Sequence, residues 1–118
     1  MFNFEKLEVW KKAIDFADLV YTSTRTFPPD ERFRLTTQMR RAAVSISSNI
    51  AQGCSRISKT DFARFLEIAT GSVFEVVSEA FIGRRQGVLG EDAFRSIYEA
   101  AEEQSRMLSG LRKSILRK

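Results

Sequence analysis

Six residues of one segment carry most of the chemistry this chain can offer: Arg34, Gln38, Arg41, Ser45, Ser48 and Gln52. They step by 4, 3, 4, 3 and 4, the spacing of a heptad seam, so a helix stacks them on one face. Guanidinium, amide and hydroxyl groups in a row, with no carboxylate among them, make a stripe of donors and acceptors at positive potential. Such a stripe can offer donors to phosphate oxygens, line a pore or groove, pair across an oligomer interface, or be a solvated helix face. Its missing acids set it apart from ordinary exposed faces, which mix signs as Glu8 with Lys12 and Glu102 with Arg106 are spaced to do. Arg40 and Arg56 add cations nearby. Residues 31–59 hold six Lys or Arg against one acid, so this segment carries +5 in a chain whose net charge is +4. Asn49 falls between the polar stripe and the apolar seam of the same helix, where a single amide fixes register or partner choice in preference to holding a ligand.

The rest of the composition removes chemistry. With no histidine, imidazole bases and histidine-ligated metals are gone, and the Glu-x-x-His pairs that hold di-iron in helical bundles cannot be built. A single cysteine, Cys54, allows no intrachain disulfide, and a thiol without a histidine base is a poor nucleophile candidate. Glu75 and Glu79, one turn apart, read as a solvated edge rather than a metal site. Gly83, Gly87 and Gly90 fit no phosphate-binding loop. The expectation is a protein with no metal, cofactor, catalytic set or small-molecule substrate, and hence not an enzyme. The start, Met1-Phe2-Asn3-Phe4-Glu5-Lys6, has no basic n-region, and no apolar run is long enough to span a bilayer, so the expected location is cytoplasmic, away from membranes.

Six glycines and two prolines in 118 residues favour a few long helices in one domain, residues 1–118. The first helix is expected over about 4–26, with Leu7, Trp10, Ile14, Ala17 and Tyr21 on its core face. Phe27-Pro28-Pro29 ends it, and Asp30 is placed to cap the next. The second spans about 31–52, buries Leu35, Met39, Ala42, Ile46 and Ile50, and places Gly53 where a left-handed terminal residue is wanted. Ser58-Lys59-Thr60-Asp61 resembles a capping box and opens a third helix of about 59–86, which Gly87 ends. Gly90 caps a fourth of about 91–116, with Leu89 and Phe94 spaced as a hydrophobic staple. The acid-free tail from Arg112 to Lys118 complements the dipole of that last helix. Short breaks favour antiparallel neighbours, so the fold is an all-α, up-down-up-down four-helix bundle.

The third helix has apolar surface to spare. Phe62, Phe65, Ala69, Val73, Val76 and Ala80 fill one face, while Phe74 and Phe81 point away from its centre. Either the bundle widens to cover them or they form a subunit interface, and self-association is the expected outcome. Phe4 and Leu19 similarly fall off the main stripe of the first helix.

The patterns Phe4-x-x-Leu7-x-Val9-Trp10-x-x-Ala13, Phe27-Pro28-x-x-Glu31, Leu35-x-x-Gln38-x-Arg40-Arg41-Ala42-x-x-Ser45-x-x-Ser48-Asn49-Ile50-Ala51-Gln52-Gly53 and Phe65-Leu66-x-Ile68-Ala69-x-Gly71-Ser72-x-x-Glu75 stand out. Together they resemble the four-helix-bundle family also called the ribosomal-RNA intervening-sequence protein family. The resemblance covers roughly residues 4 to 75 in motif and the last helix in pattern alone. It implies antiparallel bundles assembled into rings, typically pentamers, most of them without assigned activity; a distant branch of retroelement accessory proteins binds nucleic acid. The chain departs from the family at Gln52, where Glu is usual, and at the basic Gly83-Arg84-Arg85. The combined expectation is a homo-oligomeric scaffold or adaptor that binds RNA or DNA through Arg34, Arg40, Arg41 and Arg56 with the polar stripe, and self-associates through Phe74, Phe81 and Asn49. The alternative is a pure protein-interaction module.

Overall fold

Periodic apolar residues build four α-helices: α1 (Glu8–Thr24), α2 (Thr37–Cys54), α3 (Lys59–Arg85) and α4 (Glu91–Leu116). The computed structural model describes residues 1–117, and the side chains of all of these except Arg32 and Phe33. Three sets of contacts fix the course of the chain. Asn3 reaches the Cys54 carbonyl at one end of α2 while Thr24 meets Arg40 toward the other. Along α2 and α3, Gly53 approaches Phe62, Ser45 meets Ser72, and Leu35 lies against Gly83. Along α3 and α4, Glu67 pairs with Arg112 and Arg84 with Glu91. In each set one number rises as the other falls, so the bundle is up-down-up-down, a rod of 47 × 22 × 20 Å.

The core runs the length of this rod. Met39, Ile46, Ile50, Leu66, Ile97 and Leu108 are at most 1% exposed, and burying each such side chain contributes about 1.5–3 kcal/mol. The core faces expected for α2 and α3 are the observed ones, with Phe62 partly covered at the end of its stripe. On α4, Phe94, Ile97, Ala101 and Leu108 are buried, Leu111 and Ile115 pack at the margin, and Tyr98 stays partly open.

Both limits of α3 follow local chemistry. The Ser58 hydroxyl accepts the Asp61 amide at 2.9 Å, and at the far end Gly87 adopts φ +76°. That left-handed residue lets the Val88 amide return to the Gly83 carbonyl and the Gly87 amide to that of Arg84, closing a Schellman motif. Gly90 caps α4, and the staple residues Leu89 and Phe94 are both buried.

The first two helices depart from expectation. In place of one helix over 4–26, a 3₁₀ turn (Asn3–Lys6) is separated from α1 by extended Leu7. The Phe2 amide donates to the Glu5 carboxylate at 2.9 Å, and Phe4 packs on Trp10 at 5.0 Å, which holds the turn against the bundle. The buried face of α1 is Val9, Ala13, Phe16, Val20 and Thr24, while Ile14 and Tyr21 are 37% and 38% exposed. Two neighbouring stripes have helical spacing, and the observed packing leaves Trp10 and Tyr21, whose rings carry polar groups, at the margin where those groups can meet water. Before α2, a 3₁₀ turn (Pro29–Glu31) and a π-helical turn (Arg32–Thr36) replace the expected regular start at 31, and Asp30 lies inside the first turn rather than capping a helix. Gly53 is buried within α2 at an ordinary helical conformation. Its role is close approach: a Cβ there would lie 2.9 Å from Phe62 Cδ1 and 3.0 Å from Phe65 Cβ. The expected Glu8–Lys12 pair is replaced by Glu8–Lys11 at 3.4 Å, since Lys12 reaches across to Glu103 on α4 at 3.7 Å. Glu102 and Arg106 form no ion pair with one another among the described residues.

Candidate functional site

The π-helical turn, with Arg34, and α2, with the other five residues, hold the polar stripe on the outer side and on the flank toward α3. Arg34, Gln38, Arg41, Ser48 and Gln52 are exposed, and Arg34 and Arg41 have no ion-pair or hydrogen-bond partner among the described residues. Ser45 turns inward and shares a 2.9 Å hydrogen bond with Ser72 on α3. Asn49 supports that bond from one turn away, donating Nδ2 to the Ser45 carbonyl at 2.8 Å and to its hydroxyl at 3.0 Å. The amide is thus satisfied within its own helix and orients the serine that meets α3.

Two of the candidate cations are committed to the bundle. Arg40 donates Nε to the Thr24 hydroxyl at 2.9 Å and Nη2 to the Tyr21 carbonyl at 3.3 Å, and its guanidinium lies 4.5 Å from the Tyr21 ring centre. Arg56 lies 4.6 Å from the ring centre of Phe65. Stacking of this kind is worth about 0.5–1 kcal/mol at an exposed site and fixes the direction of the charge. The four arginines therefore divide into two anchored ones and two free ones.

The stripe also has acidic company that no inspection of α2 by itself reveals. The antiparallel register set by Ser45–Ser72 places Gln38 across from Glu79, with Glu75 one turn away on the same helix. Glu75 is exposed, but Glu79 is only 7% exposed and its Oε1 lacks a hydrogen-bond partner. Burial, followed by the charge of Glu75 and a hydrogen bond with it, pushes the Glu79 carboxyl up to about 7. The pair is therefore half a solvated edge and half a buried acid, correcting the expectation of a fully solvated one. Cys54 is half-buried, and burial raises its thiol above the ordinary range, which disfavours the nucleophilic thiolate.

The second candidate surface lies on α3 and α4. Phe74 is 66% exposed and Phe81 40%, and with Tyr98 they line a groove of about 510 Å³ floored by Val73, Val77 and Ala101. Phe81 is held edge-on by Phe94 at 4.9 Å and Tyr98 at 6.2 Å, whereas Phe74 has no ring partner among the described residues. The polar stripe and the phenylalanine pair are thus on different helices and are not brought into one site. Between α1 and α2, a smaller cleft of about 350 Å³ is lined by Tyr21, Thr37, Arg40, Arg41 and Val44. Among the described residues, no group of three or more His, Cys, Asp or Glu side chains is placed to hold a metal.

The sequence profile of the 23S rRNA-intervening sequence protein family matches residues 5–110. The chain belongs to that family. A crystal structure at 1.70 Å of a protein of unknown function from the S23 ribosomal protein family of Bacteroides thetaiotaomicron VPI-5482 is similar, with TM-score 0.79. The similarity spans 89% of this chain and 98% of that one at 23% identity, which shows a shared fold. No curated protein matches the chain.

Within this intervening-sequence fold, two polar residues matter that sequence reasoning passed over or misplaced. Gln104, 1% exposed, donates Nε2 to the Val9 carbonyl at 3.1 Å and ties α4 to the start of α1. Its signal was positional: Gln104 continues the buried series Phe94, Ile97, Ala101 and Leu108 at steps of three and four. Glu79 gives a similar signal, lying three residues after buried Val76 and four before buried Gly83 on the flank of the α3 core face. No helix is long and apolar enough to cross a membrane among the described residues.

Proposed function

We propose that this intervening-sequence family protein is a non-catalytic, cytoplasmic, self-associating helical scaffold that presents the outer face of α2 to its partners. The observation that carries it is Phe74, an aromatic side chain left 66% exposed beside Phe81 on a bundle whose core is already filled. Contiguous apolar surface of this kind is characteristically an interaction site. Family resemblance implies a ring, with five copies the typical number. In a ring, the free Arg34 of each copy repeats around the assembly, and weak single contacts add through avidity.

A second activity, binding of RNA or DNA by this repeated face, is favoured by the +5 on residues 31–59 and by the free guanidinium groups. It is opposed by Glu75 and Glu79 alongside and by the anchoring of Arg40 and Arg56. Light scattering tests the scaffold, and a mass equal to the 13.5 kDa chain at all concentrations would overturn it. Filter binding of RNA and DNA across a salt series tests the second activity. Retention that falls with salt and weakens in Arg34→Ala supports it, and no retention at low salt reduces the protein to an interaction module.

A further inference from the structure

We infer that copies of this chain join head to tail, with Phe74 of one copy seated in the α1–α2 cleft of the next and Glu75 facing Arg41. The inference rests on the self-association proposed above and assigns its contact surfaces.

Three observations carry it. The first is shape. Phe74 is the most exposed large apolar side chain of the four α-helices, and it has no aromatic partner among the described residues. The α1–α2 cleft has an aromatic wall in Tyr21 and an apolar one in Val44, which are 38% and 42% exposed. Tyr21 is fixed there by the Arg40 guanidinium at 4.5 Å, so that wall is formed in advance of binding.

The second is charge. Arg40 and Arg41 line the cleft and no carboxylate does. Next to Phe74 in the chain, Glu75 is exposed, and it makes no ion pair with a cation among the described residues. One surface has an apolar residue with an acid beside it, and the other an apolar cleft with a free cation, so the two are complementary and neither complements itself. Two such unlike surfaces form a two-fold contact only when both lie within one patch, and a heterologous contact when they lie on different sides of the copy.

The third is direction. The core-facing residues of α2 and α3 turn toward the bundle axis, so Val44 and Phe74, on the far sides of their helices, face outward. Neighbouring helices at the corners of a four-helix bundle face outward about a quarter-turn apart. The cleft lies further toward α1 and Phe74 further toward α4, which widens that angle. Heterologous surfaces set at such an angle turn each added copy around an axis, which gives a ring where the rotation closes and a helical filament where it does not.

Complementation of two defective surfaces tests the contact. Phe74→Asp removes the inserted side chain and Val44→Asp spoils the cleft, and both residues are exposed, so neither change disturbs the core. By sedimentation each variant alone is expected at the mass of one 13.5 kDa chain, and an equimolar mixture at the mass of two, because one intact contact remains. A Val44→Asp protein that assembles normally, or a mixture that stays monomeric, overturns the inference. Should either variant fail to fold by circular dichroism, charge exchange replaces it: Arg41→Glu and Glu75→Arg each lower the mass, and the double variant restores it. Failure of the double variant to recover likewise overturns the contact. A wild-type protein that is itself monomeric overturns the scaffold reading beneath it, whereas wild-type rings indifferent to all four changes overturn the contact and leave the scaffold standing.

Discussion

Along the edge of α2 that meets α1, Arg40 is bonded to Thr24 and to the Tyr21 carbonyl, and the Asn3 amide closes on the Cys54 carbonyl at the far end. On the outer side and toward α3, one bond between Ser45 and Ser72 is flanked by Arg34 and Arg41 without partners and by a Glu79 oxygen without a donor. The two edges belong to one helix and have similar residue types, yet one has its polar groups matched and the other has them in excess. Matched groups serve the fold of the single chain, because each bond answers the cost of partial burial. Unmatched groups gain nothing from folding, and so they are the ones available to a partner. The difference separates the roles of Arg40 and Arg41 although the two are adjacent in the chain.

If the edge toward α3 is held by packing and only lightly by polar bonds, crowding its closest approach should cost most. Gly53→Val places a branched side chain where even a Cβ would lie 2.9 Å from Phe62 and 3.0 Å from Phe65. Overpacking there is expected to lower stability by about 3 kcal/mol in urea unfolding. Ser45→Ala, which removes the polar bond, should cost no more than about 1 kcal/mol. A reversed order would make that edge a polar joint like the one against α1.

Glu79 provides the next largest effect, and its sign is opposite. Its carboxyl titrates near 7 in the folded chain and near 4.5 when exposed, so the folded state binds the proton more tightly. The stability this proton supports is complete below about pH 4.5 and is lost as the pH rises through about 7. Glu79→Gln should therefore be more stable than wild type at pH 8.5, by something on the order of 2 kcal/mol, with the gap closing toward pH 4.5. A gap independent of pH would mean that Glu79 has an ion-pair partner in solution and that this edge is matched after all.

The sequence was more informative about α2, α3 and α4 than about α1, for a physical reason. From Leu35 into α2 a single apolar stripe continues through Met39, Ala42, Ile46 and Ile50, with small Ala43 at its margin and no second large apolar stripe beside it, so the periodicity admits one solution. On α1 two apolar stripes lie side by side, and the choice depends on which fits against Gln104 and α4, a tertiary fact. The break at Leu7 depends likewise on Phe4 reaching Trp10. For the candidate surface, spacing was enough to place the stripe on one helix and Phe74 outside the core. It could not show that α3 sets Glu75 and Glu79 beside that stripe, because the register between helices comes from packing at Gly53, Ser45 and Leu35. Nor could it distinguish Arg40 from Arg41, since a guanidinium is anchored by what lies opposite it.

That last distinction supports the sharpest and smallest prediction. Arg40→Ala removes a charge-assisted bond to Thr24 and the stack on Tyr21, and it leaves the Thr24 hydroxyl with its own bond to the Val20 carbonyl. Because Thr24 keeps that bond and Arg40 is partly solvated, the loss should be about 1–1.5 kcal/mol. Arg41→Ala removes an exposed cation with no partner in its own chain, and a change within about 0.5 kcal/mol is expected. The two variants should exchange places when assembly is measured. Arg41→Ala then lowers oligomer mass at limiting concentration while its monomer unfolds as wild type does, since the group acts only across the contact. Equal costs in monomer stability would show that both arginines serve the fold, and the contrast between the two edges of α2 would fail.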